Sequence, residues 1–298
     1  MQKTPLYKRA AGSFIIAICL LQSANYAFAS EDQAVTLRMA EDGDASAQFS
    51  LGYNYDIGNG VAKDSQQAVA WYRKAAEQGY VDAQFNLGNA YVNGEGVAQD
   101  AKQAVSWYRK AAEQGDAEAQ FNLGVMYANG RGVAQDAKQA VAWYKKAAEQ
   151  GHVAAQYNLG YSYAHGEGVE KDVKQALSWY RKAAEQGDVY AQINLGNAYI
   201  KGKGVSQDAK QAVVWYRKAA EQGDAAAQRN LGIMYLTGKG VPQDNSQSYA
   251  WLSVATANGS ESATDPRDFV AKKLTKPQLE AAQKLAGEYF EKYQPVSR

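Results

Sequence analysis

Two helical rhythms alternate along most of this chain. In the first, Ala47, Leu51 and Tyr55 are spaced four apart and mark one face of a helix, with Gly52 beside that face. In the second, Ala68, Trp71, Tyr72, Ala75 and Ala76 form an apolar stripe, while Arg73, Lys74 and Glu77 fall off it. Gly58-Asn59-Gly60-Val61 separates the two, and Gly79 stops the second. The first glycine suits the left-handed conformation that ends a helix. Asp64, with Gln67 three residues on, predicts an N-terminal capping box. Gly52 recurs inside the first helix despite a cost of about 1 kcal/mol against alanine, which predicts a close approach of two helix backbones.

The whole pattern returns every 36 residues. All six tryptophans obey it: Trp71, Trp107, Trp143, Trp179, Trp215 and Trp251. A fixed period of this length defines a repeat architecture, in which each two-helix unit buries its apolar side only against its neighbours. The prediction is an all-α solenoid of six helix-turn-helix repeats, spanning 44–79, 80–115, 116–151, 152–187, 188–223 and 224–259. Segment 30–43 echoes the end of the second helix and reads as an N-terminal capping half-repeat with a polar outer face. The sixth repeat departs from pattern: Val254 and Ala257 replace solvated residues and need a cover. Segment 260–298 supplies one as C-terminal capping helices. Its Thr275 and Gln278 form a second capping box, and an apolar stripe runs from Leu279 to Tyr293.

The first 29 residues are different material. Lys3, Lys8 and Arg9 precede an apolar run from Ala10 to Leu21, and Ala27-Phe28-Ala29 follows. This is the layout of a secretory signal peptide cut after Ala29, and the run is short for a membrane span. Cleavage leaves 29 positive and 31 negative residues and no cysteine, because Cys19 lies inside the run. A periplasmic or secreted chain with no stable membrane span is expected. The near-zero charge offers no basis for nucleic-acid binding.

The unit Ala-x-Ala-Gln-x-x-Leu-Gly-x-x-Tyr, then Gly-x-Gly-Val-x-x-Asp, then Ala-x-x-Trp-Tyr-x-Lys-Ala-Ala-x-Gln-Gly resembles the Sel-one-like repeat (SLR), a relative of the tetratricopeptide repeat. The resemblance covers 44–259. It implies an α/α superhelical solenoid, and an adaptor role among exported bacterial scaffolds. Family members linked to enzymatic activity are cysteine-rich, which this chain is not.

Columns that vary between repeats should carry the partner contacts. In the first helix these are the columns of Ser46, Phe49, Tyr53, Asp56 and Ile57, a single face. Resemblance to related superhelices makes that face a concave groove. Its candidate residues are Phe49, Tyr53, Phe85, Asn89, Asn93, Phe121, Asn129, Tyr157, Tyr161, His165, Asn197, Lys201 and Arg229. Aromatic anchors flanked by amides suit a protein or peptide. The Phe49, Phe85, Phe121 and Tyr157 row equally fits packing between repeats. The tryptophans read as core wedges. The Gly-x-Gly turns lack the Lys-Ser or Lys-Thr of a phosphate loop. His152 and His165 have no carboxylate at ligand spacing, so no metal and no cofactor are expected. No nucleophile motif stands out, and no enzyme is expected. The reading is a monomeric protein-interaction scaffold. A peptidoglycan- or glycan-binding module is the alternative, and a cell-wall hydrolase or β-lactamase-like enzyme the second alternative.

Overall fold

The computed structural model describes residues 33–294. The proposed signal peptide lies outside them. Every described element is helical. Helix α1 covers 33–41. Six pairs of 13-residue helices follow: α2 (Ala45–Ile57) with α3 (Ser65–Glu77), α4 (Val81–Asn93) with α5 (Ala101–Glu113), α6 (Ala117–Asn129) with α7 (Ala137–Glu149), α8 (Val153–His165) with α9 (Val173–Glu185), α10 (Val189–Lys201) with α11 (Ala209–Glu221), and α12 (Ala225–Thr237) with α13 (Asn245–Ala257). A 3₁₀ turn at Glu261–Ala263, α14 (Thr264–Ala271) and α15 (Lys276–Lys292) close the chain. Its contacts divide into two compact units, one ending at Gln135 and the other beginning at Asp136.

Within each unit one set of contacts repeats. The first helix of a repeat packs on its own second helix, which packs on the first helix of the next, as in α2, α3, α4, α5 and α6, or α7, α8, α9, α10 and α11. Alanines let the backbones approach: Ala75, Ala111, Ala183 and Ala219 are fully buried. The tryptophan of one repeat completes the core of the one before. Trp107 packs with Ala68, Tyr72 and Leu87, and Trp215 with Ala176, Tyr180 and Leu195. The wedge reading holds, with one addition. A lysine three residues on lies over the ring, at 3.6 Å in Lys74–Trp71 and 3.9 Å in Lys110–Trp107. Trp71 remains half-buried.

The glycine of the first helix faces a ring, more closely than it faces a second backbone. A Cβ on Gly88 would lie 2.6 Å from Cδ1 of Tyr108, and one on Gly52 2.8 Å from Cδ1 of Tyr72. The backbone approach expected from sequence is present but secondary, with the Ala68 carbonyl 3.1 Å from that position at Gly52. In the sixth repeat Leu252 takes the ring's place over Gly232.

The turns are structural. Gly58 ends α2 in the left-handed region at φ 76° and passes its N–H to the Asn54 carbonyl. From the second repeat onward the second glycine of the turn crosses the first turn of the preceding second helix: a side chain on Gly96 would overlap the Ser65 carbonyl. Asp64 caps α3, accepting from the N–H groups of Gln66 and Gln67. The box predicted there is half formed. Among the described residues Gln67 returns no bond, and Asp100, Asp136, Asp172 and Asp208 likewise cap alone. The box at Thr275 and Gln278 is complete.

A buried glutamine paired with a more exposed one ties the repeats together at one end. Gln84 donates to the Ala76 carbonyl at 3.0 Å, and Gln114 donates to Gln84 Oε1 at 2.8 Å. The same pair recurs as Gln48 with Gln78, Gln156 with Gln186 and Gln192 with Gln222. Four arginines also bind forward, Arg73 to the Tyr91 hydroxyl at 2.8 Å and Arg217 to that of Tyr235 at 2.6 Å among them. Arg73 is thus a tether, although its column reads as solvated.

Both ends are covered. Ala40 of α1 is buried with Ala47 and Leu51, and its carbonyl accepts from Gln48. Val35 and Met39 of α1 are nevertheless exposed, so the cap's outer face is less polar than expected. At the other end α15 packs on α13. The Trp251 ring lies 4.6 Å from that of Tyr289 and 5.2 Å from that of Tyr293. Val254 is buried as expected, whereas Ala257 stays exposed.

Candidate functional site

The candidate contact residues lie on the first helices of the repeats, and each unit places its own. In the unit ending at Gln135, Phe49 is half-buried. Its ring is 5.7 Å from Tyr72 and 5.1 Å from Tyr80, with exposed Tyr53 stacked beside it at 6.4 Å. Phe85 stands 6.0 Å from Tyr108. Phe121 is also half-buried. The aromatic row therefore packs against the second-helix tyrosines while keeping one edge accessible. Asn89 accepts from the Tyr108 hydroxyl at 2.6 Å, so it holds the wall. Asn93 and Asn129 are exposed at the helix ends.

The unit beginning at Asp136 brings five candidates together. Tyr157, Tyr161, His165, Asn197 and Lys201 line one cavity of about 440 Å³ between the fourth and fifth repeats. Ala164, Ala176, Leu177 and Ala198 form its apolar floor. Tyr161 and His165 are a single stacked object: their rings are 4.0 Å apart, and His165 Nδ1 lies 2.9 Å from the Tyr161 carbonyl. The one-turn spacing on α8 produces this pairing. Tyr157 packs 5.6 Å from Tyr180 and hydrogen-bonds Asn194. Burial raises the Tyr157 and Tyr180 phenols above the usual tyrosine value, so both stay neutral hydroxyls. Asn197, which also lines the cavity, accepts from the Tyr216 hydroxyl at 2.8 Å.

Arg229 stands apart. Its Nε donates to the Ser262 carbonyl at 3.2 Å, tying the C-terminal cap to α12. His152 caps α8, its Nδ1 accepting from the Ala155 N–H at 3.1 Å. It sits at the opposite end of that helix from His165. Among the described residues, no three His, Cys, Asp or Glu side chains gather as a metal site. No described helix is long and apolar enough to cross a membrane.

Four polar lining residues escape the sequence argument: Lys171, Tyr180, Asn194 and Lys203. Tyr180 and Asn194 recur in nearly every repeat, and a search for variable columns discards them. Lys171 and Lys203 lie in turns beyond the helix faces compared. The signal was nevertheless present: Lys171 stands where four other repeats carry Gln99, Gln135, Gln207 and Gln243.

This arrangement of paired helices defines an α/α helical-repeat protein. The Sel1 repeat profile matches six consecutive segments, 45–80, 81–116, 117–152, 153–188, 189–224 and 225–260. The chain belongs to the Sel1 repeat family, as its 36-residue unit suggested. It is similar to a Sel1 repeat protein from Oxalobacter formigenes, at 38% identity over 79% of this chain and 98% of that one, with a TM-score of 0.64. It also resembles c5321, described as a protective antigen of uropathogenic Escherichia coli with an SLR fold, at 37% identity over 90% of this chain and 73% of that one, TM-score 0.40. No curated protein matches it. Sel1 repeat proteins are in general protein-interaction scaffolds.

Proposed function

We propose that this chain is a non-enzymatic, monomeric scaffold exported to a bacterial envelope, and that it holds a protein or peptide against the inner helices of its repeats. The observation that carries this is the convergence of Tyr157, Tyr161, His165, Asn197 and Lys201 on one open cavity. An apolar floor with aromatic walls and few fixed polar groups is how a side-chain anchor is received. The fixed charge of the lining is cationic, and no carboxylate, serine, threonine or cysteine lines it. Export is supported by the basic, apolar and Ala-x-Ala order of residues 1–29.

The test is capture of the native partner by cross-linking in envelope extracts. Changing Tyr161 and Lys201 together to Ala should leave helicity and melting intact and weaken capture. Unchanged capture removes this cavity from consideration. A glycan is the second reading, favoured by the 39% exposed ring of Tyr161, since sugars stack on such faces. Co-sedimentation with purified sacculi that depends on Tyr161 supports it over a protein partner.

A further inference from the structure

The cavity between the fourth and fifth repeats differs from its counterparts in charge. Lys171, Lys201 and Lys203 all line it, His165 joins them, and no carboxylate does. Singly, two of these cations recur elsewhere, Lys171 in the column of Lys63 and Lys203 in the column of Arg131 and Lys239. What no other repeat pair shows is the three together, with Lys201 the sole lysine of its column. Lys201 stands where Asn93 and Asn129 stand, and Lys203 where Glu95 and Glu167 stand.

Lys171 is the most informative. In four repeats the corresponding glutamine closes the turn by donating to the carbonyl seven residues earlier. Gln99 bonds Val92 at 2.6 Å, Gln135 bonds Ala128 at 2.8 Å, Gln207 bonds Ile200 at 2.7 Å, and Gln243 bonds Leu236 at 2.8 Å. In the fourth repeat Lys171 makes no such bond to Ala164, and it lines the cavity. A turn bond worth about 1 kcal/mol is given up where a cation is gained. Among the described residues none of the three lysines is in an ion pair within 4.0 Å. That holds for Lys171 even though Glu170 and Asp172 share its neighbouring cleft. The neighbouring junction between the fifth and sixth repeats has two cations in place of three. The next one is lined by Arg229, Thr237 and Lys239, and Arg229 is already bound to Ser262.

Three lysines around an apolar floor, none ion-paired within 4.0 Å, raise the local positive potential. Asn197 adds a polar amide to the same lining. We infer that this junction is the specificity site of the groove, and that it takes an acidic protein segment. One apolar or aromatic side chain of that segment sits on the Ala164, Ala176 and Leu177 floor. Its flanking carboxylates lie on Lys171, Lys201 and Lys203. The inference rests on the scaffold reading above and names the chemistry of the partner.

The test uses the purified chain and fluorescein-labelled nonapeptides with a central phenylalanine. One carries aspartate and glutamate on both sides, one asparagine and glutamine, and one lysine. Binding is read by anisotropy at about 50 and about 300 mM salt, where screening of exposed charges differs strongly. The acidic peptide should bind at least tenfold tighter than the neutral one at low salt, and the margin should shrink at high salt. The triple variant Lys171→Gln, Lys201→Asn, Lys203→Glu installs residues that other repeats already tolerate. It should melt like the parent and lose that margin. Replacing the central phenylalanine by alanine should weaken binding further. Equal binding of acidic and neutral peptides, or an unchanged margin in the triple variant, overturns the inference. So does absence of acidic-peptide binding, or equally tight binding of a nine-residue thymidine oligonucleotide. In each of those cases a partner whose cross-linking still depends on Tyr161 leaves the scaffold reading standing.

Discussion

Gln114 donates to the side-chain oxygen of Gln84 at 2.8 Å, while Gln84 donates to the Ala76 carbonyl at 3.0 Å. One buried amide thereby joins the end of its own repeat to the last turn of the repeat before. This explains why glutamine recurs both in Ala-Gln and before the closing glycine, a pairing the apolar pattern alone leaves without a reason.

Gln84→Leu should therefore destabilise the fold by about 1–2 kcal/mol, because two bonds of a buried amide are lost at once, although the Ala76 carbonyl keeps the Gly79 N–H and Gln114 keeps the Gly79 carbonyl. Gln114→Leu should cost less, since Gln114 is exposed and water replaces it. Urea denaturation of the two variants checks the order. Equal losses would mean that the bond to Ala76 contributes nothing.

Gly88→Ala drives a methyl into the Tyr108 ring and should cost about 1–3 kcal/mol by overpacking. Much of that penalty should vanish in a Tyr108→Ala background, where the ring is gone. A double-mutant cycle on melting data measures the coupling. Strict additivity would place the constraint in the backbone.

Burial pushes the Tyr108 and Tyr216 phenols up to about 12 from an ordinary value near 10, with Arg131 opposing slightly at Tyr108. The folded state thus favours the neutral hydroxyl. That contribution is fully present below pH 10 and is lost as pH rises from 10 through 12. Melting temperature should fall steeply across that window, and less steeply in the Tyr108→Phe, Tyr216→Phe double variant. Identical slopes in parent and variant would refute the assignment.

Tyr289 covers Trp251 and its hydroxyl donates to Gln247 at 2.9 Å. Tyr289→Phe should cost about 1 kcal/mol for the bond. Tyr289→Ala should cost about 3 kcal/mol, the low end for truncating a large aromatic, because the ring is half-buried. Hydrogen exchange in α13 should accelerate in the second variant alone. Unchanged protection there would mean that α15 does not shield α13.

The periodic columns made the helices readable from sequence. Ala47, Leu51 and Tyr55 mark one face, Trp71 and Tyr72 another, and the glycines their ends. Caps at Asp64 and Thr275 were readable for the same reason, since local hydrogen bonds need only local sequence. The glutamine pairs, the Arg73–Tyr91 tether and the ring over Gly52 were not, because each joins residues 16 to 30 positions apart through side-chain direction. The site was half readable. Tyr157, Tyr161, His165, Asn197 and Lys201 sit on variable helix columns, and comparison between repeats found them. Lys171 and Lys203 reach the same cavity from turns, and no helical periodicity reports on a turn. Arg229 satisfied the column rule yet serves the cap, because what it meets is set by residue Ser262, far along the chain.

The sixth repeat ends differently from the others: Leu252 replaces tyrosine, Asn258 replaces glutamine and still reaches Gln228 at 3.0 Å, and two tyrosines of α15 close over Trp251. A seventh copy appended after residue 259 would find that surface already sealed. A change of length that keeps both seals is then the insertion or excision of a whole 36-residue cassette in the interior, such as 80–115. Such an event shifts the lysine-rich junction along the protein without disturbing either terminus.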